Sequence, residues 1–440
     1  MARNGFVEAV VVMNSVLRGR CGRRQGGLNG RMRAKQGWIG AASQAWRIAV
    51  WSITGFFWLL WFQVFLGHML PRIDAILDGA PLANTPPCDA VQCDFSVFWP
   101  ASRLAQQRQF NTLYSPHAFS LFREHVLFAG EPRLDWYYPP PSLLPLLPLG
   151  HLSVGVAFLV WTVLLILLAV VMLRTARVSW MVICCSLVSP AALWCIEVGQ
   201  WDIFCGAALI AGFLLLSQRP FASGILLSLL IFKPQPAIVT PVALFAQRHW
   251  RVMIGGLVGA TVICLATTML LGGDVWRQWL LFGLADARQN LIRGHPIGLE
   301  ESASLFWALR KAGASLSEAF LAQNLCAVFA LAAVWHAWSR PYFEKLDRIA
   351  IVVIASTLVC PYFFVVDLVA LGIVLTLVVE HKRWQIGSLD ALLWLWPMLS
   401  PAIFIWTGWL LSPFVMLLGL LYFWSINVLK FRTLSVSMNA

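Results

Sequence analysis

GQWDIFCGAALIAGFLLL, residues 199–216, decides the class of fold. One acid, Asp202, stands near its start, and the fourteen residues after it carry no charge. In hydrocarbon the backbone N–H and C=O groups have no water to bond, so such a segment is stable there only as a helix. The pattern of an ionisable residue at the tip of an apolar run recurs at Asp94, Lys233 and Asp367. Charge beside lipid is costly, and a set of such charges on one membrane face marks a functional site by default.

Composition agrees with a membrane class. Charged residues make up 12% of the 440-residue chain, apolar residues 59%, and the mean hydropathy is +0.74. Soluble domains carry about 25% charge. Apolar runs are expected to cross a bilayer at 49–68, 152–173, 178–196, 202–217, 221–232, 236–247, 252–271, 318–337, 349–362, 368–380, 389–406 and 409–428. The expected fold is therefore all-α and polytopic, with roughly twelve spans, the accepted range being about ten to thirteen. Two pairs are short, 221–232 with 236–247 and 349–362 with 368–380. Broken helices of this kind line protein cavities; the alternative is one kinked helix for each pair.

Lys and Arg fix the orientation. With both termini in the cytoplasm, the inner side holds 21 of the 32 basic residues and five acids, and the outer side 11 basic and 15 acidic residues. The net charge of +12 is thus a topology signal, and no nucleic-acid partner is expected. Residues 1–47 read as a basic, disordered cytoplasmic tail without a cleavable signal, 48–430 as the membrane domain, and 431–440 as a cytoplasmic tail. Two long outer loops, about 69–151 and 272–317, are expected to face the periplasm. The first carries Ala118, Leu121, Phe122 and His125 at helical spacing, which suits short helices on the membrane surface.

Each candidate has a plainer reading. Asp94 in the first outer loop suits a general base for a hydroxyl, or a solvated or helix-capping aspartate. Lys233, in Phe232-Lys233-Pro234-Gln235-Pro236, can hold a lipid phosphate as a point charge, or simply snorkel. Gln200 and Asp202 offer hydrogen bonds to a polyol, or only turn chemistry. Asp367 follows Pro361-Tyr362-Phe363-Phe364-Val365-Val366 at a helix start, where the dipole alone favours a carboxylate. Arg288 and His295, with Glu300, Glu301, Ser302 and Ser304, populate the second loop; Arg or His could neutralise a leaving phosphate, or the loop is a solvated mixed-charge segment. Cys88 and Cys93 share the first outer loop as a disulfide or as free thiols. No zinc-protease, Walker or nucleophile-elbow motif is present. No cofactor is expected, and no spacing argues for a metal.

The order of several stretches resembles glycosyltransferase family 87, multi-spanning polyprenol-phosphate-dependent enzymes of the GT-C type. They are CDFSVFWPASRLAQQRQFNTLYSP (93–116), WYYPPPSLLPLLPL (136–149), GQWDIFCGAALIAGFLLL (199–216), RPFASGILLSLLIFKPQPAIVTPVALFAQRHWR (219–251), SLFWALRKAGAS (304–315) and CPYFFVVDLVAL (360–371). The resemblance implies a GT-C-like helical fold that transfers a hexose or pentose, mannose favoured, from a polyprenyl-phosphate donor. The acceptor is a hydroxyl of a lipid or glycan at the periplasmic face of a bacterial inner membrane, with inversion at the anomeric carbon. It implies Asp94 as general base, Lys233 on the lipid phosphate, and Gln200, Ser304 and Asp367 as substrate ligands. Tyr137, Tyr138, Asp202, Gln235, Arg288 and His295 complete the substrate-binding set expected here. Cys360 replaces a serine of the family, Trp201-Asp202 stands where an Asn-Gly-like pair is usual, and His295 does not align clearly with the family's loop histidine. The competing class is a transporter or lipid flippase, whose site belongs near the midplane between repeat-related halves. No internal repeat is evident.

Overall fold

A computed structural model describes residues 27–78, 94–127, 134–293 and 298–438. Contacts divide the chain into Met1–Ser52 and Ile53–Ala440, and the ionisable candidates all belong to the second unit. Cys88, Cys93, His295 and residues 1–26 of the expected tail lie outside the described residues, while residues 27–47 belong to the helix Gly27–Leu77. The described residues are 82% helix, with no strand among them.

Among the described residues, six helices are long and apolar enough to span a bilayer, or seven if the bent pair Trp180–Leu187 and Pro190–Val198 counts as one. That pair turns by 58° where Pro190, lacking an N–H, follows Ser189, whose hydroxyl accepts from the Ala192 N–H. The shorter apolar segments are Asp202–Leu215, Pro220–Ile231 and Gln235–Ala246. At 1.5 Å per residue a twelve-residue helix covers only about 18 Å, against roughly 30 Å of hydrocarbon. Among the described residues, six or seven of the twelve expected spans are thus long enough by themselves to cross, and the others are short helices.

Both expected breaks are present. Pro220–Ser228 tightens into the 3-10 turn Leu229–Ile231, the chain passes Lys233 and Pro234, and a second 3-10 turn, Gln235–Ala237, leads on to Thr240–Ala246. Lys345–Val359 ends at an extended Cys360, and the turn Val365–Leu368 restarts the chain into Val369–His381. Prolines remove helical donors at both breaks.

Small residues set the packing. Pro220–Ser228 lies against Trp250–Leu271 so closely that a Cβ at Gly224 would strike the carbonyl of Val252, and one at Gly255 that of Phe221. Such close approach of backbones is the packing mode of helices in lipid. Large apolar side chains point outward, Trp406 at 90% exposure and Met269 at 81%, as a lipid-facing exterior requires. In the first long loop, Pro116–Val126 differs from the surface helix expected: it buries Phe119 and Arg123 completely and leaves Leu121 exposed. The buried stripe runs through residues the spacing reading did not choose.

At the His381 end of Val369–His381, Lys382 pairs with Asp390 at 2.9 Å and Lys430 with Glu344 at 2.6 Å. The opposite end of that helix begins beside Asp367, and Asp94, Asp202 and Lys233 gather there.

Candidate active site

Three backbone features bring the site together. Gly199 adopts a left-handed conformation (φ 75°) that ends the helix Pro190–Val198, and a Cβ there would lie 2.7 Å from the Cβ of Phe95. Glycine is thus needed both for the turn and for the approach of the helix Phe95–Gln106. That helix is fixed by buried Arg123, which donates from Nε to the Ser96 carbonyl (3.1 Å) and from Nη2 to the Ser96 hydroxyl (2.8 Å). Finally, Tyr138 precedes three prolines whose restricted φ holds the strip 138–141 in place. Aromatic rings fill the space between these parts. Tyr138 packs on Phe98 at 5.5 Å and on Trp201 at 5.8 Å, and Trp201 stacks on Phe232 at 6.1 Å.

Lys233 occupies the centre. It is 4% exposed. Its Nζ donates to Asp202 Oδ2 at 2.5 Å, to Asp367 Oδ1, and to Gln200 Oε1 at 3.3 Å, which uses all three ammonium hydrogens. Gln200 Nε2 lies 3.1 Å from the Tyr138 hydroxyl. Asp367 Oδ2 accepts from the Phe364 N–H at 2.8 Å. Asp202 Oδ1 is buried without a hydrogen-bond partner among the described residues. One cation thus faces two carboxylates at the starts of two helices, where the helix dipoles also favour negative charge. Lys233 neither snorkels to a headgroup nor stands open to one: its donors are committed within the protein.

Asp94 stands at the rim, partly exposed. Its side chain makes no capping bond to the helix that follows, and faces Gln200 instead. Burial pushes its carboxyl up to about 6, against the lowering effects of Gln200 and Lys233, while Asp367 adds to the rise. Such a carboxylate is ionised at neutral pH yet basic enough to accept a hydroxyl proton. Glu301 joins this group. Its carboxyl is held well above the ordinary range, first by burial and then by Asp94, Glu300, Asp367 and Glu197. The reach of the second loop comes from an antiparallel bridge of Ser302 with Phe364 and a 2.8 Å bond from the Ala303 N–H to the Phe363 carbonyl.

Other expected site residues stand apart. The Tyr137 hydroxyl donates to Asp135 at 3.0 Å. Ser304 is fully buried, and its hydroxyl caps the helix Leu305–Lys311 by accepting from the Trp307 N–H at 3.3 Å. Arg288 lies exposed on the helix Leu284–Arg293. Gln235 has a buried Oε1 without a partner among the described residues. Among these same residues, no three His, Cys, Asp or Glu side chains are arranged to hold a metal ion. Glu301 is the one member that reasoning on single residues passed over: it read as one of several loop charges, and only its place next to Ser302, which pairs with Phe364, could have signalled it.

The cluster is a set of carboxylates, an amide and a phenol around one ammonium, open at Asp94, in a protein whose outer surface is apolar. Such a set can hold a polyol by hydrogen bonds and remove a proton from one of its hydroxyls. No curated protein and no solved structure matches the chain significantly. The model of glycosyltransferase family 87 matches residues 136–361, a stretch that contains Tyr138, Gln200, Asp202, Lys233 and Glu301 but neither Asp94 nor Asp367. That match spans just over half of the chain: this is a membrane glycosyltransferase, and it belongs to glycosyltransferase family 87.

Proposed function

We propose that the enzyme transfers a sugar, mannose by preference, from a polyprenyl-phosphate donor to a hydroxyl of a lipid or glycan acceptor at the periplasmic face of a bacterial inner membrane. The observation that carries this reading is the position of Asp94: a rim carboxylate facing Gln200, with its carboxyl raised to about 6, beside an otherwise enclosed polar cluster. Asp94 takes the acceptor proton as the hydroxyl oxygen attacks the anomeric carbon. The bond from that carbon to the phosphate oxygen breaks, and its electron pair leaves with the phosphate. Attack from the face opposite the phosphate inverts the centre. Positive charge on the sugar in the transition state is met by the surrounding carboxylates, as in glycoside hydrolysis.

Lys233 is assigned to the departing phosphate. It reaches that group by exchanging one carboxylate for a phosphate oxygen. Asp202 is the carboxylate with fewer bonds, since its Oδ1 has no partner among the described residues while Asp367 is also held by the Phe364 N–H. Tyr138 and Gln200 orient the sugar and the base.

Transfer of radiolabelled sugar from polyprenyl-phosphate donors to a membrane lipid extract tests the reading. Wild type should transfer label and Asp94→Asn, equally expressed, should not. Label transferred by both proteins would remove Asp94 from the chemistry, and transfer from a nucleotide sugar alone would remove the lipid donor. Tags near Asp94 and Glu300 should react with a membrane-impermeant reagent in intact spheroplasts; protection of both would invert the orientation.

A further inference from the structure

A second cavity lies between the two long loops. It measures about 450 Å³, within the size range of small-ligand sites. Asn111, Ser115 and His117 come from the first loop, and Gln278, Phe282 and Gln289 from the second. Asn111, His117, Phe282 and Gln289 are exposed, so the cavity opens to the outside.

Its chemistry is that of a sugar-binding site. Each amide of Asn111, Gln278 and Gln289 donates and accepts, which matches a hydroxyl that does both. Phe282 supplies an exposed ring for the C–H face of a pyranose, and buried Tyr114 forms part of the wall behind it. The Oε1 of Gln278 is buried with no hydrogen-bond partner among the described residues, an acceptor that a ligand hydroxyl would satisfy. Gln278 adjoins a π-helical turn, Trp279–Gly283, which also contributes Phe282. Such turns are rare and frequent at functional sites.

The cavity is also wired to the base. The Tyr114 hydroxyl donates to the carbonyl of Tyr138 at 3.2 Å, and Trp279 Nε1 to that of Tyr137 at 3.3 Å. The Tyr138 side chain meets Gln200, which faces Asp94. One residue thus separates the wall of the cavity from the catalytic cluster.

We propose that this cleft is an acceptor subsite for a polyhydroxylated glycan, read through Asn111, Gln278 and Gln289. It rests on the glycosyltransferase reading above and assigns the acceptor: an oligosaccharide whose non-terminal sugar occupies the cleft while its terminal hydroxyl meets Asp94. Membrane attachment of the acceptor is not required for this contact.

The test uses the full-length protein in lipid nanodiscs on arrays of soluble manno-, gluco- and galacto-oligosaccharides, and on the same glycans attached to lipid. Wild type and Asp94→Asn should retain the same glycans from both arrays. Asn111→Ala/Gln289→Ala, at exposed positions whose truncation orphans no buried group, should weaken retention about tenfold, as expected for the loss of two neutral hydrogen bonds. Phe282→Ala should weaken it as well. Equal retention by the double variant, retention of lipid-attached glycans only, or no glycan retained by wild type overturns the proposal. Transfer assays separate the two readings. Transfer with an unchanged acceptor KM in the double variant sinks the cleft alone. Glycan retention that depends on Asn111 and Gln289, without transfer from any polyprenyl-phosphate donor, sinks the donor and leaves the cleft.

Discussion

Replacing Lys233 by Met keeps the volume of the stem and removes the ammonium that two buried carboxylates share. Asp202 is 1% exposed and Asp367 3%. After the change Asp367 still accepts from the Phe364 N–H, whereas Asp202 loses its ammonium partner and is left facing the Asp367 carboxyl. Removing one member of a buried ion pair costs about 3–5 kcal/mol. Because one cation serves both carboxylates, the upper end applies, about 5 kcal/mol. Large domains lose roughly 2 °C of melting temperature per kcal/mol, so the midpoint should fall by about 10 °C. Heating the detergent-solubilised protein while following tryptophan fluorescence measures this, with unfolding rates at fixed temperature as the readout if melting is irreversible. The double variant Lys233→Met/Asp202→Asn removes one of the two orphaned charges and should recover about half of the loss. Two results together would refute the reasoning: a single variant that melts within about 2 °C of wild type, roughly 1 kcal/mol, and a double variant no more stable than the single one. They would mean that the triad does not hold this end of the protein together.

The rise of the Asp94 carboxyl from 3.8 to about 6 predicts a kcat/KM that climbs with pH, is half-maximal near 6 and is flat above neutrality; a profile flat down to pH 5 would contradict it. The same shift has a stability sign. Protonated Asp94 is favoured by folding, so its contribution is full below 3.8 and is lost as pH rises through about 6. Asp94→Asn should therefore melt higher than wild type at pH 8 and alike at low pH, and equal midpoints at pH 8 would count against the burial of this carboxyl. Gly199→Ala places a non-glycine residue at φ 75° with its Cβ 2.7 Å from Phe95. The left-handed strain alone costs about 1–2 kcal/mol, and kcat should fall as the Gln200 turn moves; a fully active, equally stable variant would show that the turn can relax. Ser304→Ala removes a helix cap and should cost about 1 kcal/mol in thermal stability with little change in donor KM; a tenfold rise in donor KM would give Ser304 a substrate contact instead.

The class of fold was legible because lipid imposes its own arithmetic. Apolar runs and their breaks at Phe232–Pro236 and at 361–367 reappear as helix ends in the structure. The lengths of the helices were less so, because a run of twelve apolar residues reads alike whether its helix is long or short. Among the candidates, the sequence marked Lys233, Asp202 and Asp367 singly but could not pair them. Their contacts join positions 31 and 134 residues apart, and no local periodicity encodes such a meeting. Tyr137 and Tyr138 show the limit in small. Neighbours in an extended strip point to opposite sides, so Tyr138 meets Gln200 while Tyr137 turns to Asp135. Ser304 carried a capping signal as much as a binding one, and the helix took it.

The tether of Ala303 to Phe363 has a kinetic consequence. It stitches the second long loop to the segment that delivers Asp367, three residues beyond Phe364. The loop therefore cannot lift away as an independent flap without disturbing the backbone next to the ion triad. Exchange of the Ala303 amide with deuterium should then report on the interior of the enzyme rather than on a surface excursion. Slow in the resting protein and faster once Lys233 is removed, it would make one peptide group a gauge of how tightly the buried charges are clasped.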